Sequence, residues 1–145
     1  MFKLVKILNG RINQPEPVRL PASAEETALY LVAGSLLKLV NGSLANCGPT
    51  DKPAYLCAES VTVAPHETCM VCVFPITPDM VLEAPTASAS ALTVGELYTL
   101  AQSVSADGQT YASGVTSTTA NGVVRVYDKV DPAGDGKRVR VTVLA

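Results

Sequence analysis

The dipeptides Asn-Gly and Asp-Gly occur five times in this chain of 145 residues, and no other feature constrains its fold as much. Their residues tolerate the positive φ angles of the type I′ turn, which joins two adjacent antiparallel strands. Three of the five dipeptides fall in the last forty residues, so the strands there must be short. The pattern predicts a series of β-hairpins. The dipeptides lie at Asn9-Gly10, Asn41-Gly42, Asp107-Gly108, Asn121-Gly122 and Asp135-Gly136.

The composition favours strands over helices. Nineteen valines and thirteen threonines are β-branched, and such stiff side chains suit a pleated surface. In Arg138–Leu144 valines alternate with polar residues, which is typical of a strand with one buried face. Together with the turns, these patterns predict an all-β fold that is short-stranded and hairpin-rich, with the architecture of a barrel or a sandwich.

The predicted domain organisation begins with an extended N-terminal arm, Met1–Ala22. Its prolines fix φ and lack a hydrogen-bond donor, so this tract is expected on a surface or at a sheet edge. The Ser- and Ala-rich stretch Thr86–Leu92 indicates a linker. The linker would separate a β-subdomain of residues 23–85 from a C-terminal β-subdomain of residues 93–145. The sequence leaves open whether the two share one core.

The segment Ser23–Val40 is compatible with two structures. Its first four residues, Ser23-Ala24-Glu25-Glu26, match the capping box of a helix. However, Gly34 would lie inside that helix, at a cost of about 1 kcal/mol relative to alanine. The favoured structure is therefore a hairpin of the strands Leu29–Val32 and Leu36–Val40.

Charge and hydropathy argue against several classes of protein. The chain has 13 acidic and 11 basic residues and a net charge of −2, so it lacks the basic excess expected of a nucleic-acid binder. Its longest apolar tract, Ala28–Val40, has 13 residues, whereas a membrane-spanning helix needs about 20. The opening Met1–Leu8 lacks the pattern of a signal peptide. We therefore expect a soluble protein made inside the cell, with neither a nucleic-acid nor a membrane partner.

Residues capable of chemistry are few and scattered. His66 is the only histidine and lies in a Pro-His-Glu turn, where a solvated position is expected. The chain has no phosphate-binding loop, dinucleotide fingerprint or metalloprotease motif. Nucleophilic catalysis needs a nucleophile, a base and a group that orients the base. We therefore expect no enzyme activity, no cofactor and no small-molecule substrate.

The four cysteines are expected to be buried free thiols. Cys69 and Cys72 form a Cys-x-x-Cys pair, but residues three apart on a strand point to opposite faces. That geometry argues against a shared metal or redox site. A disulfide between Cys47 and Cys57 would need an oxidising compartment.

Several stretches, in their order along the chain, resemble the small head-decoration (cement) proteins of tailed bacteriophages. These stretches are Lys3–Gly10 followed by Pro15-Glu16-Pro17, the hairpin Ala28–Val40, Lys52–Glu59, Val73–Glu83, Val94–Tyr98 and the tail Gly136–Val143. The resemblance covers most of the chain. The cysteines depart from it, since they are not a feature of that family.

The resemblance implies a β-rich fold attached to the outside of an assembled capsid. There it would reinforce the joints between subunits of the major capsid protein, often as a homotrimer. It implies no catalytic residues. The protein would be assembled in the cytoplasm of a bacterial host and would reside on the capsid surface of the virion.

The arm is the predicted contact with the capsid. Its four basic residues outnumber its single acid, Glu16, and suit an acidic protein surface. An extended arm can also add a strand to the edge of a partner's sheet. The predicted contact residues are Phe2, Lys3, Leu4, Lys6, Arg11, Ile12, Pro15, Pro17 and Arg19.

The alternative function is a non-catalytic carbohydrate-binding or adhesin-like β-module. Such a module would use tyrosines as a flat surface for stacking sugars. Tyrosine in a strand is ordinarily half-buried, however, so packing in the core is the favoured role. The tyrosines are Tyr30, Tyr55, Tyr98, Tyr111 and Tyr127.

Overall fold

The computed structural model describes residues 1–8, 16–105, 107–130 and 136–144, and the fold is all-β as predicted. A single turn of 3-10 helix, Ala89–Ala91, interrupts the strands of the described ranges, which hold no helix long and apolar enough to span a membrane. The strands are β1 (Lys3–Ile7), β2 (Val18–Ser23), β3 (Leu29–Leu31), β4 (Leu36–Val40), β5 (Ser43–Asn46), β6 (Tyr55–Cys57), β7 (Val61–Val63), β8 (Thr68–Pro75), β9 (Met80–Pro85), β10 (Leu97–Tyr98), β11 (Leu100–Val104), β12 (Thr110–Val115), β13 (Val124–Lys129) and β14 (Arg138–Val143).

Two large antiparallel sheets and one small sheet contain these strands. The five-stranded sheet has the order β1-β9-β14-β13-β10, and the seven-stranded sheet has the order β11-β12-β4-β6-β8-β2, with β5 also paired to β4. The small sheet is the pair β3-β7. The seven-stranded sheet curls until the Ser23 backbone N–H at the end of β2 donates to the Ser43 hydroxyl of β5, at 2.9 Å. The described strands form no closed barrel, so the architecture is sandwich-like.

The seven-stranded sheet is buried on both faces, and each face has its own hydrophobic core. The first core, which includes Leu36 and Leu56, lies between this sheet and the five-stranded sheet. The second core lies on the opposite face, where Leu37 and Cys57 pack with Leu31 of the small sheet. Neighbouring residues enter different cores because successive side chains of a strand point to opposite faces.

The last strand, β14, has the predicted alternation. Val139, Val141 and Val143 are buried in the first core, and the residues between them point outward. Burying one valine contributes roughly 1.5–3 kcal/mol. Because β14 lies in the middle of the five-stranded sheet, these valines hold that sheet against the seven-stranded one.

Two of the five turn dipeptides join neighbouring strands as predicted. Asn41 (φ 51°) and Gly42 (φ 78°) both have positive φ and connect β4 to its partner β5. Gly108 (φ 83°) lies in the turn from β11 to β12. Asn121 (φ 59°) instead precedes β13, which pairs with β14 and β10 and not with β12. The first and last dipeptides fall wholly or partly outside the described residues.

Residues 29–40 contain two strands and no helix, but the predicted hairpin between them is wrong. β3 pairs with β7, whereas β4 pairs with β5, β6 and β12. The turn between them has Gly34 at φ 85°, and its carbonyl accepts the Phe2 N–H at 2.8 Å. The two strands do not pair because β4 is hydrogen-bonded within the seven-stranded sheet, whereas β3 lies against a face of that sheet, where Leu31 packs with Leu37 in the second core.

The two predicted β-subdomains share one core. β9 from the first pairs with β14 from the second, and β4 pairs with β12 in the other large sheet. The first core therefore contains side chains from both, such as Leu36 and Val141. The division at residues 86–92 does not correspond to a boundary between sheets or between cores.

The segment predicted as a linker, Thr86–Leu92, is packed into the structure. Ala89 and Leu92 are buried in the first core, and the Thr86 N–H donates to the Lys137 carbonyl at 2.8 Å. The linker prediction is therefore corrected. The small side chains here allow close packing against the neighbouring backbone. A composition rich in Ser and Ala is equally typical of a flexible linker, so it does not distinguish the two.

The predicted arm, Met1–Ala22, is part of the domain wherever it is described. β1 pairs with β9 and β2 pairs with β8. Each is the end strand of a large sheet, in agreement with the expected position at an edge. Phe2, just before β1, is only 3% exposed and packs in the first core. The free arm is therefore a wrong prediction, because this segment completes two sheets and buries apolar side chains.

Candidate functional site

A β-bulge in β1 places two lysines on the outer face of the five-stranded sheet. Lys3 lies opposite Glu83 of β9. The register then shifts after Leu4, which brings Lys6 opposite Val81. Without the extra residue Lys6 would point with Leu4 toward the first core, because strand side chains alternate. The bulge instead exposes both lysines on one surface.

A row of alternating charge crosses four strands of this face. The register aligns Lys3 with Glu83 and Glu83 with Arg140 of β14. Arg140 is in turn aligned with Asp128 of β13. The row ends in a positive charge at Lys3, on the edge of the sheet.

Further basic and aromatic side chains surround the row. Arg138 Nη1 lies 3.7 Å from Glu83 Oε1. Lys6 Nζ lies 4.8 Å from the centre of the Tyr127 ring, a cation–π contact. Arg125 Nη1 donates to a backbone carbonyl at 2.6 Å. This surface is named the basic face, and it consists of Lys3, Lys6, Glu83, Arg125, Tyr127, Asp128, Arg138 and Arg140.

The basic face differs in charge from the chain as a whole. It carries five of the eleven basic residues and two of the thirteen acidic residues, although the net charge of the chain is −2. Within it, Arg140 Nε is shielded from solvent and has no hydrogen-bond partner among the described residues. The row itself holds two basic and two acidic residues, so the excess of positive charge on this face comes from Lys6, Arg125 and Arg138 around it.

Four of the predicted contact residues are exposed, but on two different sheets. Lys3 and Lys6 lie on the basic face. Pro17 and Arg19 are exposed at the beginning of β2, the end strand of the seven-stranded sheet. The structure therefore joins the two lysines in one surface and leaves Pro17 and Arg19 outside it.

Two other predicted contact residues are held by the core. Phe2 is buried, and Leu4 packs against the first core from β1. Phe2 could contact a partner only by leaving the core, whereas Leu4 is half-buried. Arg11, Ile12 and Pro15 lie outside the described residues.

The sequence does not indicate which other strands lie beside β1 on this face. The alternation of β14 predicted the outward position of Arg138 and Arg140, but not their place beside β1. Glu83, Asp128 and Tyr127 had no local signal, because strand pairing over such sequence separations depends on the whole fold.

The four cysteines are free thiols, as predicted, although two are only half-buried. Cys47 and Cys57 are buried, and burial raises the pKa of the Cys47 thiol to about 12 and also raises the pKa of Cys57. Cys69 packs against the second core, whereas Cys72 occupies the alternate position on β8. The described residues contain no group of three or more His, Cys, Asp or Glu side chains that could hold a metal ion.

Asp51 links a loop to β4 through its carboxylate. One oxygen accepts hydrogen bonds from Lys38 Nζ at 2.6 Å and from the Gly48 N–H at 2.7 Å. These partners favour the ionised form, so the pKa of Asp51 lies below its ordinary value, with Lys38 the largest cause. The contact also holds the loop against Cys47, which is buried beside it.

His66 takes the predicted position, two of the tyrosines pack with the cores, and Tyr30 and Tyr111 are half-buried. His66 is exposed in a turn at φ 61°, and its backbone N–H donates to the Glu25 carbonyl at 2.8 Å. Tyr98 is buried in the first core and Tyr55 packs against the second. Tyr127 is instead 39% exposed, on the basic face.

A groove of about 390 Å³ lies at the end of the molecule where β14 terminates. Its lining is mainly apolar and includes Pro53, Ile76, Pro78 and Leu144. Lys52 supplies one charged group at its margin. The groove is separate from the basic face in its lining residues.

Comparison with protein-family models, with curated protein sequences and with solved structures found no match to this chain.

Proposed function

We propose that this chain is a structural decoration protein that binds the outside of an assembled phage capsid and stabilises the joints between major capsid protein subunits. The observation that carries the proposal is the position of the N-terminal segment. Its two described strands are end strands of the two large sheets, with Lys3 and Lys6 exposed on the first. The resemblance to head-decoration proteins supports the same function.

An end strand suits this role because its outer edge can hydrogen-bond to an added strand. Among the described strands β1 has one neighbour, β9. Because β1 is already paired within this domain, the capsid subunit would supply the added strand, and the N-terminal segment of this chain would not extend into the capsid subunit. The charged side chains next to the edge would fix its register.

Decoration stabilises a shell when it binds the assembled form better than the dissociated form. Each occupied site then adds RT ln(1 + [L]/Kd) to the free energy of disassembly. A decoration protein that bridges neighbouring subunits, or that binds as the homotrimer expected from the resemblance, adds multivalency to this effect. The protein would accordingly be found on the capsid surface of virions assembled in the bacterial cytoplasm.

The test is co-sedimentation of the purified protein with empty heads assembled from the major capsid protein of the same phage. We expect saturable binding to assembled heads and weaker binding to unassembled capsid subunits. A glycan array with the same preparation tests the carbohydrate-binding alternative. Protein that stays in the supernatant at every concentration would rule out decoration, and specific glycan binding would favour the alternative.

A further inference from the structure

We propose that the basic face binds a carboxylate-rich surface of a partner protein, and that an acidic side chain of that partner lies opposite Lys3. The inference deepens the proposed function, on which it rests, by naming the surface and the chemistry of the contact. It also includes Arg125 and Arg138, which lie far from the N-terminal segment in sequence.

The distribution of charge supports an acidic partner. The basic face has an excess of basic residues while the chain as a whole is acidic, so the remaining surface is negative. Three exposed acids, Glu25, Glu26 and Glu67, lie near one another outside the basic face, at the end of the β2-β8 pair where the Ala24 N–H donates to the Glu67 carbonyl at 3.0 Å. A partner with a negative surface would be attracted to the basic face and repelled by that end, which orients the encounter.

The order of charges in the row indicates where the partner's acid belongs. From β13 to β1 the row reads Asp128, Arg140, Glu83 and Lys3. Arg140 is flanked by two acids, whereas Lys3 has an acid on one side only, because β1 is the end strand of this sheet among the strands that the structure describes. A strand added to β1 would place its own side chain directly opposite Lys3. An acidic residue at that position continues the alternation.

The same acids disfavour a nucleic acid as the occupant. Glu83 and Asp128 lie within the face, so a continuous phosphate backbone laid across it would come close to both carboxylates. The net charge of −2 adds a general repulsion for polyanions. Separate carboxylates on a folded partner can instead be placed over the basic residues alone.

The experiment uses paired charge reversals and two independent binding measurements. The test variant is Lys3→Glu with Arg138→Glu, since both side chains are exposed. The control variant is Lys52→Glu, an exposed lysine that lies outside the basic face. Thermal unfolding of all three proteins shows that each variant remains folded.

The first measurement is affinity for assembled heads. We expect the test variant to raise Kd at least about ten-fold, equivalent to about 1.4 kcal/mol, and the control to leave it unchanged. Wild-type affinity should also fall as salt rises from about 50 to about 300 mM, because exposed charges are screened. Equal binding of all three proteins would overturn the inference and leave decoration standing. Failure of the wild type to bind heads would overturn decoration itself.

The second measurement does not depend on heads. Titration with a short peptide whose aspartates are separated by uncharged residues, followed by NMR chemical shifts, should perturb amides around Lys3 and Arg138 more than those around Lys52. Duplex DNA of equal charge serves as the comparison. Stronger perturbation by DNA, or perturbation centred on Lys52, would overturn the assignment of an acidic protein partner.

Discussion

At the scale of single residues, β1 divides its side chains between two surroundings. Phe2 and Leu4 pack on the first core, whereas Lys3 and Lys6 are exposed on the basic face. The bulge at Val5 is what allows both lysines to point outward. The same short segment therefore anchors itself to the domain and presents charge to a partner.

Replacing Phe2 by alanine tests the anchoring half of this description. Loss of a buried phenylalanine and the cavity that it leaves typically cost about 3–5 kcal/mol. We expect a loss of that order in the free energy of unfolding, measured by urea denaturation. Lys3→Ala is the control and should change stability by less than about 0.5 kcal/mol. If Phe2→Ala behaves like Lys3→Ala, the segment is not anchored in the core.

Asp51 gives the fold a dependence on acid pH. Because its pKa is lower in the folded state, its stabilising effect is present above about pH 4 and is lost as pH falls through the folded pKa. Its carboxylate is partly exposed, so the effect should stay below about 1 kcal/mol. Asp51→Asn should therefore lose less stability than the wild type between about pH 5 and pH 2 in urea denaturation. Identical losses in the two proteins would show that Asp51 has no such role.

At the scale of strands, β4, β6 and β8 are the strands that contribute side chains to both cores. Each sends neighbouring residues into both cores, as Leu36 and Leu37 of β4 show. Strands that are covered on both faces open only with a large part of the structure. The five-stranded sheet packs against one face of these strands, and the small sheet packs against the other.

Hydrogen exchange tests this arrangement strand by strand. Amides of β4, β6 and β8 that bond to neighbouring strands should exchange most slowly, near the rate of global unfolding. Amides of the small sheet β3-β7, which has two strands and covers one core, should exchange faster. Equal protection of β3-β7 and β6 would contradict the description of two cores on one sheet.

Strand identity could be predicted from the sequence, but strand partners could not. The sequence predicts strands at Leu29–Val32 and Leu36–Val40 and a turn at Asn41-Gly42, and the structure has them at Leu29–Leu31, Leu36–Val40 and Asn41-Gly42, because alternation and turn chemistry are local. The partner of β3 is β7, some thirty residues away, and no local pattern specifies that choice. The bulge that turns Lys6 outward is likewise not specified by a local pattern, because it depends on the register between β1 and β9.

At the scale of the whole molecule, one core contains residues from both of the β-subdomains that the composition predicts as separate. The small residues of Thr86–Leu92 looked like a linker, yet Ala89 and Leu92 are buried. The basic face is likewise assembled from β1, β9, β13 and β14, drawn from both ends of the chain. Only its lysines on β1 were predicted as contacts. The other residues of the basic face lie beside these lysines because β9, β14 and β13 follow β1 in the five-stranded sheet.

The proposed decoration of a capsid places the whole molecule in one orientation on the shell. The basic face would be turned inward, where its excess of basic residues attracts an acidic shell. The two cores make the domain a stiff support for that face. A rigid surface loses less entropy on binding than a flexible one.

The most direct measurement is a cryo-electron microscopy map of heads saturated with the protein, resolved well enough to place the two large sheets. We predict density on the outside of the shell at the joints between capsid subunits, with the five-stranded sheet toward the shell and Lys3 at the contact. Saturated heads that show no added density, or density in which the seven-stranded sheet faces the shell and the basic face is open to solvent, would contradict this prediction.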